Sequence, residues 1–242
     1  VGASNDKVAL VTGASRGIGA ATAIKLAERG FSVAVNYRGK TARAQEVAAQ
    51  IRELGRTAML AQADLTVSAE VEAMIQLVRE NFARLDVLIL NASGGLEKDK
   101  AEDYAMALNL TAQMNTAQSA AALMPAGGRI VFVTSHWAHF YGEKPVIPAY
   151  EPVAKSKKAG EDALRQYAAE LSERGISLVV VSGDAIEGTI TPRLLNRMDR
   201  GVMASRQGTL PSIDEFAEAI CEAAVDASLP SGHTIFVGST EY

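Results

Sequence analysis

Apolar positions follow two alternating patterns along this chain. Short continuous runs of strand length occur at 7–12 (KVALVT), 32–36, 57–62, 85–90, 129–134 (RIVFVT), 177–182 and 233–237. Between them, apolar residues recur at helical spacing, which predicts helices over 17–30, 41–55, 68–82, 101–124, 153–174 and 212–227. Strands that are apolar throughout are buried on both faces and so belong to a parallel sheet. Seven such strands alternating with helices build βαβ units, an α/β doubly wound three-layer sandwich around a seven-stranded parallel sheet. No repeat, low-complexity tract or linker breaks the pattern, so 1–242 reads as one domain. One long irregular stretch, 184–211, reads as a substrate lid.

Composition narrows the class. Hydrophobic residues make up 48% and charged residues 21%, as in an ordinary globular protein. A net charge of −4 argues against a nucleic-acid partner, which draws on a basic patch. No apolar run approaches the ~20 residues needed to cross a bilayer, so no membrane is expected. The start, VGASND, lacks a signal pattern and reads as a short lead-in. The single cysteine, Cys221, fits a reducing compartment and a core position on a helix. A cytoplasmic location is expected. No metal-ligand spacing is evident.

Chemistry enters at the end of the first strand. In VALVTGASRGIG a strand is followed by Gly13, Gly17 and Gly19 and then by a helix. This is the Rossmann-type arrangement: a tight turn at Gly13, backbone approach to a pyrophosphate at Gly17 and close helix–sheet packing at Gly19. The pyrophosphate sits at the positive helix N-terminus. Ser15, Arg16 and Ile18 belong to the same turn. At the end of the second strand, AVNYRGK carries no acid to accept from an NAD ribose. It offers Asn36, Tyr37 and Arg38 instead. Arg38 and Arg16 suit a 2′-phosphate, which a guanidinium grips in a bidentate fork, so NADPH is expected. Asp64, followed by Leu65, ends the third strand, placed either to accept from the adenine amino group or to cap a helix. Asn91, Ala92 and Ser93 end the fourth strand at the carboxyl edge, where such sheets bind ligands.

These residues resemble the short-chain dehydrogenase/reductase family along nearly the whole chain. TGASRGIG is similar to that family's TGxxxGxG turn, and LNAS to its NNAG stretch, with Leu90 and Ser93 departing. The resemblance implies that Asn109 holds a proton-relay water and that Ser135 is the catalytic serine. It implies that Lys157 holds the nicotinamide ribose and lowers a tyrosine's pKa. It also places Gly183, Ile186 and Thr189 beside the cofactor. The family's Tyr-x3-Lys pattern requires a tyrosine at 153, where this chain has Val153. Tyr150 and Lys157 instead make Tyr-x6-Lys, a spacing similar to the family's enoyl-acyl-carrier-protein reductase branch. Ser182-Gly183, where most members carry Pro-Gly, resembles the same branch.

Pro152 is expected to push Glu151 into an extended conformation and to leave Tyr150 just outside the helix. There the helix N-terminus and Lys157 would both favour phenolate and lower the phenol's pKa. The insert SHWAHFYGEKPVIP places His136, Trp137, His139, Phe140 and Tyr141 close behind Ser135. Its aromatics could line an apolar pocket, and Tyr141 or a histidine could replace the acid. The expected activity is hydride transfer from NADPH to a polarised double bond of a small-molecule or thioester-linked substrate, with a slight lean to an enoyl thioester. The alternatives are a ketoreductase acting on a ketoacyl thioester, polyketide or other carbonyl, and a catalytically silent NADPH-binding sensor or scaffold. The apolar helices 101–124 and 153–174 imply, by the same resemblance, a homodimer or homotetramer.

Overall fold

A computed structural model describes residues 6–97, 101, 103–189 and 210–241. Seven parallel strands, β1 (Val8–Val11), β2 (Ser32–Tyr37), β3 (Ala58–Gln62), β4 (Val87–Leu90), β5 (Arg129–Ser135), β6 (Ser177–Gly183) and β7 (Thr234–Val237), form one sheet. Their order is β3-β2-β1-β4-β5-β6-β7. The two halves wind in opposite directions from β1 and β4. The carboxyl ends of those strands therefore flank the switch point where doubly wound sheets bind ligands.

Two apolar layers cover the sheet. On one face lie α1 (Gly17–Glu28), α2 (Thr41–Glu53) and α8 (Ile213–Val225), with Leu26, Ile51, Phe216 and Ile220 packed on Val11, Val35 and Val181. On the other lie α3 (Ser68–Phe82), α5 (Ala112–Ala121) and α7 (Glu151–Glu173), with Met74, Ala117 and Leu164 packed on Leu10, Leu88 and Val180. The continuous apolar strands are thus buried on both faces, as the pattern requires.

Four expectations change. The helix foreseen over 101–124 is a short α4 (Tyr104–Met106), a π-helical turn (Ala107–Thr111) and then α5. Apolar spacing does not distinguish a π-turn from the α-helix around it, and such turns concentrate at functional sites. The helix foreseen from 153 starts at Glu151, preceded by a 3-10 turn, Pro148–Tyr150. Glu151 is helical, at φ −54° and ψ −44°, rather than extended. Pro152 falls within the first helical turn, where its missing N–H breaks no helical bond, and the preference it imposes on its neighbour is overridden. The insert forms an unforeseen one-turn helix, α6 (His136–His139), whose Ala138 N–H donates to Ser135 Oγ at 3.3 Å. Of the lid at 184–211, residues 190–209 lie outside the described residues.

Candidate active site

A cleft of about 960 Å³ opens at the carboxyl edge of β1, β2 and β4. Its walls include Gly13, Ser15, Arg16, Gly17, Ile18 and Gly19 from the first turn, and Asn36, Tyr37 and Arg38 from the end of β2. Asp64, Leu65, Asn91, Ala92, Ser93 and Thr189, also expected, line it as well. Gly183, Ile186 and Lys157, also expected beside the cofactor, are not on these walls. Gly183 packs so closely on Phe216 that a Cβ there would lie 2.6 Å from its ring, and Ile186 is a buried core residue.

Gly17 and Gly19 have the backbone conformation and close packing that their spacing implies. Gly17 has φ +55° with open space where a Cβ would stand, a backbone free for close approach by a ligand. At Gly19 a Cβ would lie 2.6 Å from both Gly13 O and Asn91 Nδ2, so the start of α1 can pack there only without a side chain. Thr12, which the sequence reading passed over, ties the two central strands. Its hydroxyl donates to Ile89 O at 3.0 Å and accepts from the N–H groups of Asn91 and Ala92 at 2.9 and 3.0 Å.

Asn36, expected among the cofactor-binding residues, lines the cleft and also braces the turn beside it. Its Oδ1 accepts from Gly13 N at 3.1 Å, and its Nδ2 donates to Ala61 O at 3.0 Å. It fixes the glycine turn against β3. Asp64 forms a local turn, its Oδ1 accepting from the backbone N–H and hydroxyl of Thr66 at 3.0 and 2.7 Å. Its other oxygen, Oδ2, lies 3.9 Å from Arg38 Nη1 on the cleft wall. Lys40, Arg43 and Tyr104 also line the cleft. Arg38 donates to the Tyr104 hydroxyl at 2.8 Å, across the cleft from β2 to α4. Lys40 and Arg43 escaped notice because the start of a polar helix face reads as solvated surface. With Arg16 and Arg38 they give this end of the cleft four cations, a donor set that fits a phosphate ester.

Beyond the cleft, β5 and α7 bring the expected chemical groups together. Ser135 Oγ and the Tyr150 hydroxyl are 3.1 Å apart. Tyr150 is 5% exposed, its ring 5.1 Å from that of Trp137, in an apolar cluster with Val153 and Ala154. The displaced tyrosine therefore reaches the serine from the 3-10 turn, while Val153 lies against Gly95, where a Cβ would stand 3.1 Å from the valine methyl. Burial pushes the Tyr150 phenol above its ordinary value, with the Ser135 hydrogen bond acting in the opposite sense. The expected lowering is overturned because burial outweighs the one opposing contact, the Ser135 hydrogen bond. Lys157 is itself buried, which lowers its ammonium to about 8, with the charge of Glu161 opposing the shift.

Asn109 lies in the π-turn and is buried. Its Nδ2 donates to Gly94 O at 2.9 Å and to Ser156 Oγ at 3.0 Å. It joins the loop after β4 to the catalytic helix. Gly160 permits that approach, since a Cβ there would fall 2.0 Å from Asn109 O. The insert residues point elsewhere. His136 Nδ1 is 2.8 Å from Ser182 Oγ, His139 Nδ1 is 2.8 Å from Glu161 Oε1, and the Tyr141 hydroxyl donates to Glu151 Oε1 at 3.1 Å. Trp137 packs its ring on that of Tyr150, and Tyr141, Val146 and Ile147 pack against the same cluster. Among the described residues no group of three or more metal-ligating side chains occurs, and no helix is long and apolar enough to cross a membrane.

Comparison with known proteins agrees with this geometry. Residues 7–198 match the short chain dehydrogenase family model. Hydroxynaphthalene reductase arp2 of Aspergillus fumigatus is 39% identical over 184 residues, covering 73% of this chain and 65% of arp2. The 1-cyclohexenylcarbonyl-CoA reductase of Streptomyces collinus is 33% identical over 97% of this chain and 86% of its own. Among solved structures, the angucycline C-6 ketoreductase LanV with bound NADP superposes with a TM-score of 0.80 at 31% identity, covering 97% of this chain and 95% of that one. With the glycine turn, the sheet order and the Ser135–Tyr150 pair in place, these matches establish that the chain belongs to the short-chain dehydrogenase family.

Proposed function

We propose that this protein is an NADPH-dependent reductase of carbonyl-activated double bonds, with Tyr150 as its acid. The carrying observation is the 3.1 Å approach of Ser135 Oγ to the Tyr150 hydroxyl, next to a cleft whose phosphate end holds Arg16, Arg38, Lys40 and Arg43. The glycine turn would hold the pyrophosphate, the four cations a 2′-phosphate and Lys157 the nicotinamide ribose. When bound, the cofactor supplies a hydride. The chain's own work is to fix one substrate oxygen. Ser135 and Tyr150 point two hydroxyls at that atom and stabilise the negative charge that develops on it; Tyr150 supplies the proton, which stays on oxygen for a ketone and, for an enoyl thioester, gives an enol that tautomerises to carry the proton on the α-carbon. Trp137 and Val153 make the surroundings apolar, which strengthens those hydrogen bonds by excluding water.

A phenol held above its ordinary pKa suits an acid that stays protonated until it is used. Pairing between copies through α5 and α7, as a homodimer or homotetramer, belongs to the same reading.

The Tyr-x6-Lys spacing and the nearly full-length similarity to the cyclohexenylcarbonyl-CoA reductase favour an enoyl thioester acceptor. The second reading is a ketone acceptor, favoured by the Ser135–Tyr150 pair converging on one oxygen and by the similarity to LanV. NADPH oxidation with crotonyl, acetoacetyl and aromatic ketone substrates separates them. The enoyl reading expects turnover of the crotonyl thioester at least tenfold above that of the acetoacetyl thioester, and the reverse ratio selects the ketone. No turnover with any acceptor, alongside tight NADPH binding, would point to a sensor or scaffold.

Cofactor choice has its own test. A charge-assisted contact adds about 1.5–3 kcal/mol, so NADPH should bind roughly 10- to 100-fold more tightly than NADH. Arg38→Ala should shrink that ratio while leaving NADH affinity within about threefold of the parent. Equal affinity for both cofactors in the parent would refute the phosphate assignment.

A further inference from the structure

On the buried face of the catalytic helix lies a carboxylate that the reaction so far does not use. Glu161 is fully buried, one turn beyond Lys157 and on the same buried face of α7. Residues four apart on a helix are neighbours. A buried carboxylate costs several kcal/mol unless it is paired, so its partners show what the fold maintains there. His139 Nδ1 stands 2.8 Å from Oε1, at ion-pair distance although the ring N–H is not aligned as a hydrogen bond. Arg165 Nε donates to the same oxygen at 2.9 Å. Arg165 is in turn fixed by Gly232 O and Thr234 Oγ1, both at 2.7 Å. Both contacts fall on one carboxylate oxygen. The other, Oε2, is buried with no hydrogen-bond partner among the described residues.

We propose that Glu161 is a positioning residue for Lys157: its negative charge, held in place by His139 and Arg165, keeps the buried lysine in its ammonium form. The proposal rests on the assignment of Lys157 to the nicotinamide ribose. The electrostatics run in the required sense. Burial favours the neutral amine, and Glu161 is the charge that acts against it. The carboxyl of Glu161 lies below its ordinary range: His139 and Arg165 lower it by more than burial raises it, so the carboxylate form persists at neutral pH.

Other ionisable groups on the elements packed against α7 have separate partners. Tyr104 on α4 binds Arg38, Arg129 on β5 donates to Asp226 O, His136 on α6 binds Ser182, and Asp184 after β6 accepts from Ala185 N. On α7 itself, Lys158 pairs with Asp162, Glu151 accepts from Tyr141, and Lys155 is exposed. Tyr150, at the head of α7, binds Ser135. The insert thus serves the site through His139 by holding a carboxylate rather than by donating to substrate.

The test reads NADPH affinity against pH. Trp137 is the chain's one tryptophan, with its ring 5.1 Å from that of Tyr150, so its emission reports binding without any acceptor substrate. In the parent, affinity falls on the alkaline side as Lys157 loses its proton. Glu161→Gln should move that limb to lower pH by roughly one to two units, the worth of one charge a helical turn away at an effective dielectric near 20. Glu161→Asp should restore part of the shift, and His139→Ala should produce a smaller one. Turnover, where an acceptor is in hand, should show the same order of limbs.

An unmoved limb in Glu161→Gln overturns the proposal, provided Lys157→Ala removes the limb. If Lys157→Ala leaves affinity and limb intact, the ribose assignment itself fails and the proposal falls with it. Should circular dichroism show Glu161→Gln unfolded, His139→Ala decides, and an unmoved limb there overturns the proposal.

Discussion

Tyr150→Phe is expected to keep the fold and the cofactor and to lose turnover by a factor on the order of 10²–10⁴, the usual worth of a positioned acid. The ring is what the fold uses. It is 5% exposed and packs against Trp137 and Val153, and phenylalanine preserves those contacts. The hydroxyl is what the reaction uses, and its partner is Ser135 at 3.1 Å. Removing it leaves Ser135 as the remaining hydroxyl at the substrate oxygen, with no acid of suitable strength beside it. Because burial raises the phenol, its ionisation should not limit turnover anywhere in the neutral range. Tyr141→Phe is the control. That hydroxyl donates to Glu151 rather than to Ser135, so its loss should cost less than about tenfold. Near-normal turnover in Tyr150→Phe, on a substrate the parent reduces well, would show that the acid lies elsewhere.

The layers of this fold were legible because burial on both faces writes itself into a strand as an unbroken apolar run. VALV and VLIL at the centre of the sheet carry no polar residue at all. The glycine turn was legible because Gly17 and Gly19 obey constraints of backbone conformation and space that few other residues meet. The features that escaped are those set by three-dimensional return. The π-turn at Asn109 shares its apolar spacing with an α-helix, and what distinguishes it is the approach of Gly160 from a helix some fifty positions away. Arg43 reads as helix surface until Tyr104 and Arg38 close the far wall of the cleft. The sequence showed two histidines behind Ser135 but not their targets, because Ser182 and Glu161 come from β6 and α7. The sign of the Tyr150 shift was misjudged for a related reason. Helix ends and lysines can be read along a chain, whereas the burial that raises the phenol arises only in the fold, where Trp137 packs on the ring.

Replacing the buried lysine separates stability from activity. Lys157→Met is expected to raise stability at pH 7 by about 1–3 kcal/mol, and the melting temperature by roughly 2–10 °C for a chain of this size. Turnover should fall at least a hundredfold, and NADPH affinity should fall with it. The sign follows from linkage. Burial lowers Lys157 from its ordinary 10.5 to about 8, so between those values the unfolded chain holds a proton that the folded chain does not. Stability therefore rises with pH across that window. Below pH 8 both states are charged, and the folded state bears the full cost of a buried ammonium, offset in part by Glu161. Methionine has similar length and no charge, so it removes that cost where the cost is largest. Its advantage should shrink as pH climbs from 8 toward 10.5, where the parent lysine is already neutral when folded. Thermal melts of both proteins at pH 7 and pH 9.5 measure the difference. A variant less stable than the parent at pH 7, or an advantage that grows with pH, would mean that Lys157 holds the fold together. The expected pattern instead marks it as a charge kept in the interior at a cost in stability, for the sake of the reaction.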